Sequence, residues 1–130
     1  MGEEIFSHNG HEYDVRALWP LTAHLEVRQL VIGALIPMLD QECWETQQGI
    51  RITPAQVVRS FITLQCSYQE HWDRVMSADI TKPILVDEDL CVIDGMHRLC
   101  YFHYILQANV VPVRIVGRQL LERVRIHRQC

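Results

Sequence analysis

The sequence predicts an α+β fold in which a small mixed sheet packs against several helices. The stretch 83–116 has the pattern of a strand hairpin that leads into a helix. It consists of an apolar run, a charged turn, a second apolar run, an Asp-Gly pair and a helical pattern. Residues 54–78 repeat their apolar positions every three or four residues, which is typical of an amphipathic helix. Because 48% of the 130 residues are hydrophobic and no compositional break divides them, we expect one domain over residues 1–130.

The amino-terminal part is predicted to form a hairpin followed by an irregular connection. Residues 5–15 alternate weakly between apolar and polar side chains around Asn9-Gly10, a pair that favours a tight hairpin turn. Residues 17–24 are predicted to be short and irregular, with Trp19-Pro20 closing a helical turn, because the residue before proline is disfavoured in the helical conformation.

A strand and a short helix are predicted next. The stretch 24–32 indicates a strand that stops at Gly33, and 34–44 indicates a helix whose start lies near Pro37, since proline is tolerated only in the first turn. The residues with the expected spacing are Leu25, Val27 and Gln29 on one side of the strand and Leu35, Met38 and Leu39 in the helix.

A long amphipathic helix is expected to follow Thr53. Threonine is a favourable N-cap, and Pro54 at the first helical position loses no hydrogen bond. The apolar stripe continues to about Ala78 and should cover one face of the sheet. Its members are Val57, Phe61, Leu64, Tyr68, Trp72 and Val75.

The remaining elements follow in close succession. Two strands at 83–86 and 90–93 are joined by an acidic turn, and the helix after them is predicted to run to about Gln107. A further strand is expected at 111–116 and a last amphipathic piece at 120–126.

The sequence DGMHR at 94–98 joins the second strand to the helix. Gly95 comes where the chain must reverse sharply, and His97 and Arg98 fall beside backbone N–H groups that have no partner within the helix. A helix start favours anions, and a guanidinium and an imidazole reinforce that preference. On a helical wheel the leucines face the core and His97 projects away, free for a ligand. We therefore predict a phosphate site, with an ordinary solvated first turn as the alternative.

Charge, cysteine and histidine patterns exclude several classes. The net charge of -4 argues against a broad nucleic-acid footprint. The five cysteines form no CxxC pair and the histidines show no HxH or HExxH spacing, so neither a disulfide framework nor a metal site is expected. The acidic, polar amino terminus lacks the pattern of a secretion signal, and no apolar run approaches the length of a membrane span. We expect a protein of the reducing cytoplasm without a membrane partner.

Two features near the motif are interpreted as structural. The turn Asp87-Glu88-Asp89 offers carboxylates to a metal, but a solvated β-turn is the preferred interpretation. Cys91 and Cys100 flank the motif and are expected to pack in the interior.

The segment VIDGMHRL, between a strand hairpin and a VPVRIV strand, resembles the ParB/sulfiredoxin superfamily, whose members carry a G-x-H-R or G-x-R-R element in this context. From Trp72 onward the chain looks like small stand-alone ParB-like proteins of bacteria and phages. The likeness is best over about 72–116, and the first half fits only by the order of its elements. The resemblance implies a ParB/sulfiredoxin-like fold.

The resemblance also implies a bound nucleotide, ATP, ADP or CTP, together with magnesium. The family's Gly-x-His-Arg turn receives the phosphates, which assigns them to Gly95, the Met96 amide, His97 and Arg98. Lys82 could reach a phosphate as well, although a solvated loop lysine is the simpler interpretation. Sulfiredoxins carry a nucleophilic cysteine where this chain has Met96, so sulfiredoxin activity is not expected.

A further branch of the superfamily phosphorylates small molecules, with a carboxylate as base. Asp94 precedes the phosphate turn and is one candidate for that role, with capping of the helix as its alternative. Glu42 is a second candidate, by family position only, and a solvated helix surface is its alternative. The predicted catalytic residues are therefore Asp94 and Glu42.

Two functional classes follow from these expectations. The first is an enzyme, a nucleotide-dependent kinase or an NTPase, with a small molecule as acceptor. The second is a non-catalytic nucleotide-sensing or protein-interaction module, with a homodimer left open. A DNA-associated partition or nuclease-type role has least support, because the chain has no room for the helix-turn-helix and dimerisation domains of ParB and shows no metal-ligand cluster.

Overall fold

The computed structural model describes residues 4–65 and 67–127, and this part of the chain contains eight strands and five α-helices. Two 3₁₀ turns and one π-helical turn complete it. The strands are β1 (Ile5–His8), β2 (His11–Asp14), β3 (Arg28–Val31), β4 (Trp44–Glu45), β5 (Arg51–Ile52), β6 (Ile84–Asp87), β7 (Val92–Asp94) and β8 (Val110–Val116). The helices are α1 (Val15–Thr22), α2 (Pro54–Ile62), α3 (Gln69–Met76), α4 (Met96–Cys100) and α5 (Arg118–Glu122).

The central sheet has four strands in the order β3-β8-β6-β7. β3 is antiparallel to β8, β8 is parallel to β6, and β6 is antiparallel to β7. Two small antiparallel hairpins, β1–β2 and β4–β5, form separate sheets. The predicted α+β class and its small mixed sheet are therefore confirmed.

Strand β6 supplies side chains to both faces of this sheet, because successive residues of a strand point to opposite sides. Ile84 and Val86 belong to a hydrophobic cluster that includes Val57 of α2 and Val75 of α3. Leu85 belongs to a second cluster, built with α1, α5 and the β1–β2 hairpin. Helices thus cover both faces, and we call these two groups the α2–α4 cluster and the α1–α5 cluster.

The amino-terminal hairpin is confirmed, but the irregular connection is wrong. Asn9 and Gly10 take positive φ values of 52° and 79°, as the turn between β1 and β2 requires. Residues 15–22 form α1, capped by the Asp14 carboxylate, which accepts from the N–H of Ala17 at 3.3 Å. Pro20 lies inside this helix, and burial of an apolar side outweighs the hydrogen bond that proline removes.

The next two predictions need correction. The strand spans only Arg28–Val31, and it is Leu30 that packs against the core, whereas Val27 and Gln29 are exposed. The predicted α-helix over 34–44 is replaced by two 3₁₀ turns, Ile32–Ala34 and Ile36–Asp40. These turns have no side-chain cap and contain a glycine and a proline, so a continuous α-helix is not favoured there. Leu35 and Leu39 are nevertheless buried, as their spacing predicted.

The helix start at Thr53 is confirmed, while the single long helix is wrong. Thr53 and Gln56 form a reciprocal capping box. The helical segment divides into α2 and α3, because Leu64 takes a left-handed conformation (φ 63°) and exposes 85% of its surface. The Ser60 hydroxyl accepts from the N–H of Ser67 at 2.8 Å and holds the break in place.

The elements from β6 onward follow the prediction closely. The hairpin, the helix and the strand appear in the expected order, although residues Tyr101–Ile105 form a π-helical turn that continues α4. The last helix lies at Arg118–Glu122 instead of 120–126. Among the helices of residues 4–65 and 67–127, none has the length and apolar character needed to cross a bilayer.

Candidate functional site

A cleft of about 750 Å³ opens beside the first turn of α4. Its walls come from β1, the segment before β4, β7 and the β7–α4 turn. Four of the residues predicted for the site line it together, and Glu42 joins them from a distant part of the sequence. The predicted site residues that line the cleft are Glu42, Asp94, Gly95, Met96 and His97.

The turn into α4 depends on the backbone of Gly95. This glycine has φ 113° and ψ 23°, a left-handed conformation that other residues rarely adopt. A Cβ atom here would lie 3.0 Å from Nη1 of Arg98 and 3.2 Å from Cγ1 of Ile84. Gly95 is also the N-cap residue, and no side chain caps the helix, so the expected alternative role of Asp94 as a cap does not occur.

Asp94 instead connects the turn to α1. Its Oδ2 atom accepts a hydrogen bond from the Trp19 indole N–H at 3.0 Å and lies 3.6 Å from Nη2 of Arg98. The Arg98 Nη1 group donates to the carbonyl of Pro83 at 2.8 Å. Arg98 therefore ties the turn to the start of β6, and its guanidinium already has two protein partners.

His97 lines the cleft, but its ring is packed instead of free. The imidazole stacks on Trp44, with ring centroids 4.3 Å apart, and its Nε2 lies 3.4 Å from Nδ1 of His71. His71 Nε2–H donates to the carbonyl of Glu45 at 2.8 Å, which orients the ring so that its Nδ1 faces His97. Burial, with the charges of His71 and nearby arginines, lowers the pKa of His97 to about 3. At neutral pH this imidazole carries no positive charge for a phosphate.

Two arginines that the sequence analysis missed supply positive charge to the cleft. Arg51 of β5 and Arg74 of α3 both line it. Arg51 donates through Nε and Nη2 to the carbonyl of Glu42, at 3.2 and 2.6 Å, which fixes the guanidinium beside that segment. No local sequence pattern identifies either arginine as a residue of the site, because long-range packing brings β5 and α3 to the cleft.

The other two predicted phosphate ligands lie elsewhere. Among the described residues that line the cleft, neither Arg98 nor Lys82 is found. Lys82 is exposed in the loop before β6, and Arg98 is turned towards Pro83. The arginines that line the cleft are therefore Arg51 and Arg74, from other elements, and not Arg98 of the motif.

The cleft combines groups that suit a phosphate with groups that suit magnesium. The first turn of a helix presents N–H groups without partners, and guanidinium groups bind phosphate oxygens well. Magnesium prefers oxygen ligands, and the Glu42 carboxylate and Oδ1 of Asp94 fit that preference. The lining of the cleft therefore includes donor types suited to a phosphate and donor types suited to its metal ion.

Comparisons with protein-family models, with curated proteins and with solved structures found no match for this chain. The resemblance to the ParB/sulfiredoxin superfamily accordingly stays a prediction.

Proposed function

We propose that the protein binds a nucleoside di- or triphosphate in the cleft, with the phosphates at the start of α4. The observation that carries this proposal is the opening of the cleft onto the left-handed turn at Gly95, with Arg51 and Arg74 on its walls. Backbone N–H groups at a helix start and nearby guanidinium groups favour the same kind of ligand. ATP, ADP and CTP are the ligands to test first.

The proposal gives the motif residues different roles. Gly95 lets the backbone approach the phosphates, and Met96 and His97 contribute their backbone N–H groups. Arg98 is a positioning residue, because it holds Asp94 and the carbonyl of Pro83. The ionic contacts come from Arg51 and Arg74.

The fold is proposed to be of the ParB/sulfiredoxin type. The order of hairpin, glycine turn, helix and strand supports it, as does the parallel pairing of β6 with β8 around the helix. Met96 occupies the position of the sulfiredoxin cysteine, so the proposal includes no thiol chemistry at this turn.

For catalysis, the candidate chemistry is phosphoryl transfer to a small molecule or hydrolysis of the nucleotide. Bound magnesium would neutralise phosphate charge. Glu42 is the better candidate for a base, because its carboxylate is exposed at the cleft while Asp94 is held by Trp19 and Arg98. A non-catalytic nucleotide sensor needs the same cleft without turnover.

Thermal-shift measurements with ATP, ADP, CTP and GTP, with and without magnesium, test the binding proposal. A ligand that binds the native state raises the unfolding midpoint. We expect Arg51→Ala and Arg74→Ala each to weaken binding about tenfold or more, since each removes a charged hydrogen-bond donor. Lys82→Ala is the matched control and should bind as the parent does. Equal binding by the parent and both cleft variants would show that the phosphates lie elsewhere.

Phosphate release from the bound nucleotide separates the two functional classes. Turnover that is lost in Glu42→Gln, with binding retained, supports the enzyme. Tight binding without phosphate release over hours supports the sensing module.

A further inference from the structure

Three potential metal ligands from two parts of the chain meet at one end of the β6–β7 hairpin. His8 ends β1, Asp87 ends β6, and Cys91 follows the turn that leads to β7. One ligand atom of each, an imidazole nitrogen, a carboxylate oxygen and a thiol sulfur, lies within 4.8 Å of the others. None of the three lines the cleft, so this cluster is separate from the proposed nucleotide site.

The carboxylate of Asp87 is held in place by backbone hydrogen bonds, as metal-binding carboxylates commonly are. The residue is only 3% exposed, which contradicts the expectation of a fully solvated turn. Its Oδ1 atom accepts from the backbone N–H groups of Asp89 at 2.9 Å and Cys91 at 2.8 Å. Oδ2 faces Nε2 of His8 at 3.6 Å. These hydrogen bonds fix the orientation of the carboxylate, which is the usual role of groups around metal ligands.

His8 is oriented by a ring neighbour and faces a second carboxylate. Its imidazole stacks on Phe6, with ring centroids 5.7 Å apart and an angle of 16° between the planes. Asp89 approaches from the solvent side, with Oδ2 3.4 Å from Nε2 of His8. A second carboxylate thus lies beside His8, next to the group of three.

We propose that His8, Asp87 and Cys91 bind a divalent transition-metal ion of the zinc class, with Asp89 as the fourth ligand. Nitrogen, oxygen and sulfur donors in fourfold coordination are the combination that zinc and cobalt accept. Zinc bonds of about 2.0–2.3 Å place neighbouring ligand atoms roughly 3.3–3.8 Å apart, so a closure of about 1 Å brings His8, Asp87 and Cys91 to that spacing. Asp89 would complete the site by moving in from its place beside His8. His8 is half-buried and Asp89 is exposed, so they have room to make that movement.

An ion pair between protonated His8 and the two aspartates is the simpler explanation of part of this cluster. It explains the two carboxylates but gives the sulfur of Cys91 no role. Burial and the nearby Asp87 and Asp89 carboxylates raise the pKa of the Cys91 thiol. A bound cation reverses that effect, because it takes the thiolate as a ligand and the displaced proton leaves to solvent.

The metal would link two hairpins that form one wall of the cleft. His8 continues the strand whose residues 5–7 line the cleft, and Cys91 directly precedes the lining residues 92–94. Metal binding is therefore expected to hold β1 against the β6–β7 hairpin and to raise the stability of the folded protein.

Titration of the full chain with Co²⁺ tests the proposal. Tetrahedral cobalt with a thiolate ligand gives a thiolate-to-cobalt charge-transfer band, and its d–d bands appear in the visible range. We expect both signals in the parent and their loss when Zn²⁺ displaces cobalt. Cys91→Ser should abolish the thiolate band, and His8→Gln should weaken Co²⁺ binding at least tenfold.

Matched controls make the result decisive. Cys43→Ser, Cys66→Ser and Cys130→Ser remove other thiols, and His11→Gln removes the imidazole of the residue opposite His8 in the hairpin register. All four are expected to bind cobalt as the parent does. A parent without a thiolate band at millimolar cobalt would overturn the proposal, as would a band that survives Cys91→Ser. If Cys91→Ser does not fold, unchanged cobalt affinity in His8→Gln overturns it instead.

Discussion

The imidazole of His97 stacks on Trp44 beside the imidazole of His71, and this buried environment determines its titration. Its pKa in the folded protein is about 3, whereas an unperturbed histidine titrates near 6.5. As the pH falls below about 6.5, the unfolded chain takes up a proton at His97 before the folded chain does. This residue therefore makes the folded state less stable, relative to the unfolded chain, as the pH falls from about 6.5 towards 3.

We predict that the His97 ring proton signals in an NMR titration stay constant from pH 7.5 to 5. The same signals in the denatured chain serve as the control, because they should move near pH 6.5. A native-state titration of His97 in that range would mean that the imidazole is charged and available to a phosphate.

At the level of elements, the β7–α4 turn is the connection on which the cleft depends. Gly95→Ala forces an L residue into φ 113° and brings its Cβ to 3.0 Å from Arg98 and 3.2 Å from Ile84. We expect the free energy of unfolding to fall by about 1–3 kcal/mol, measured by urea denaturation. Gly33→Ala is the matched control, because its Cβ meets only Val31 at 4.0 Å. A Gly95→Ala protein as stable as the parent would refute the left-handed turn.

Elements with strong local signals could be predicted from the sequence. The Asn9-Gly10 turn, the cap at Thr53 and the hairpin before α4 each depend on neighbouring residues, and each is confirmed. The break at Leu64 could not be predicted, because the apolar spacing continues through it while hydroxyl groups stabilise an alternative backbone path. Helix α1 was predicted only as a turn that ends at Pro20, because its full length depends on burial by distant elements, which outweighs the local effect of Pro20.

The candidate site was predictable where it is continuous in sequence and, at Glu42, from the position that the resemblance implies. Residues 94–97 of the motif and Glu42 were predicted, and all of them line the cleft. Arg51 and Arg74 belong to other elements, and their place depends on how the β4–β5 hairpin and α3 pack. The packing of His97 on Trp44 is equally long-range, so a helical wheel could not show it.

The whole molecule has two hydrophobic clusters that share one sheet. Leu18 lies in the α1–α5 cluster and Leu99 in the α2–α4 cluster, and both are completely buried. We predict that Leu18→Ala and Leu99→Ala each lower the free energy of unfolding by about 2–5 kcal/mol. Because β6 contributes to both clusters, each variant should unfold in a single transition when far-UV and near-UV circular dichroism are followed during urea denaturation.

Leu64→Ala is the control for this comparison, since Leu64 is 85% exposed and its loss should change the stability by no more than about 0.5 kcal/mol. Two separate transitions in either core variant would mean that the clusters unfold independently. A single transition would establish that the sheet couples them.

The hydrogen bond from Trp19 to Asp94 gives the cleft an optical reporter. The indole is 45% exposed, and its N–H group donates to a carboxylate that lines the cleft. Indole emission is sensitive to the polarity and charge around the ring, so any event that moves Asp94 also changes the fluorescence of Trp19. Occupancy of the cleft can therefore be followed in the unlabelled protein, with Trp19→Phe identifying which of the three tryptophans responds.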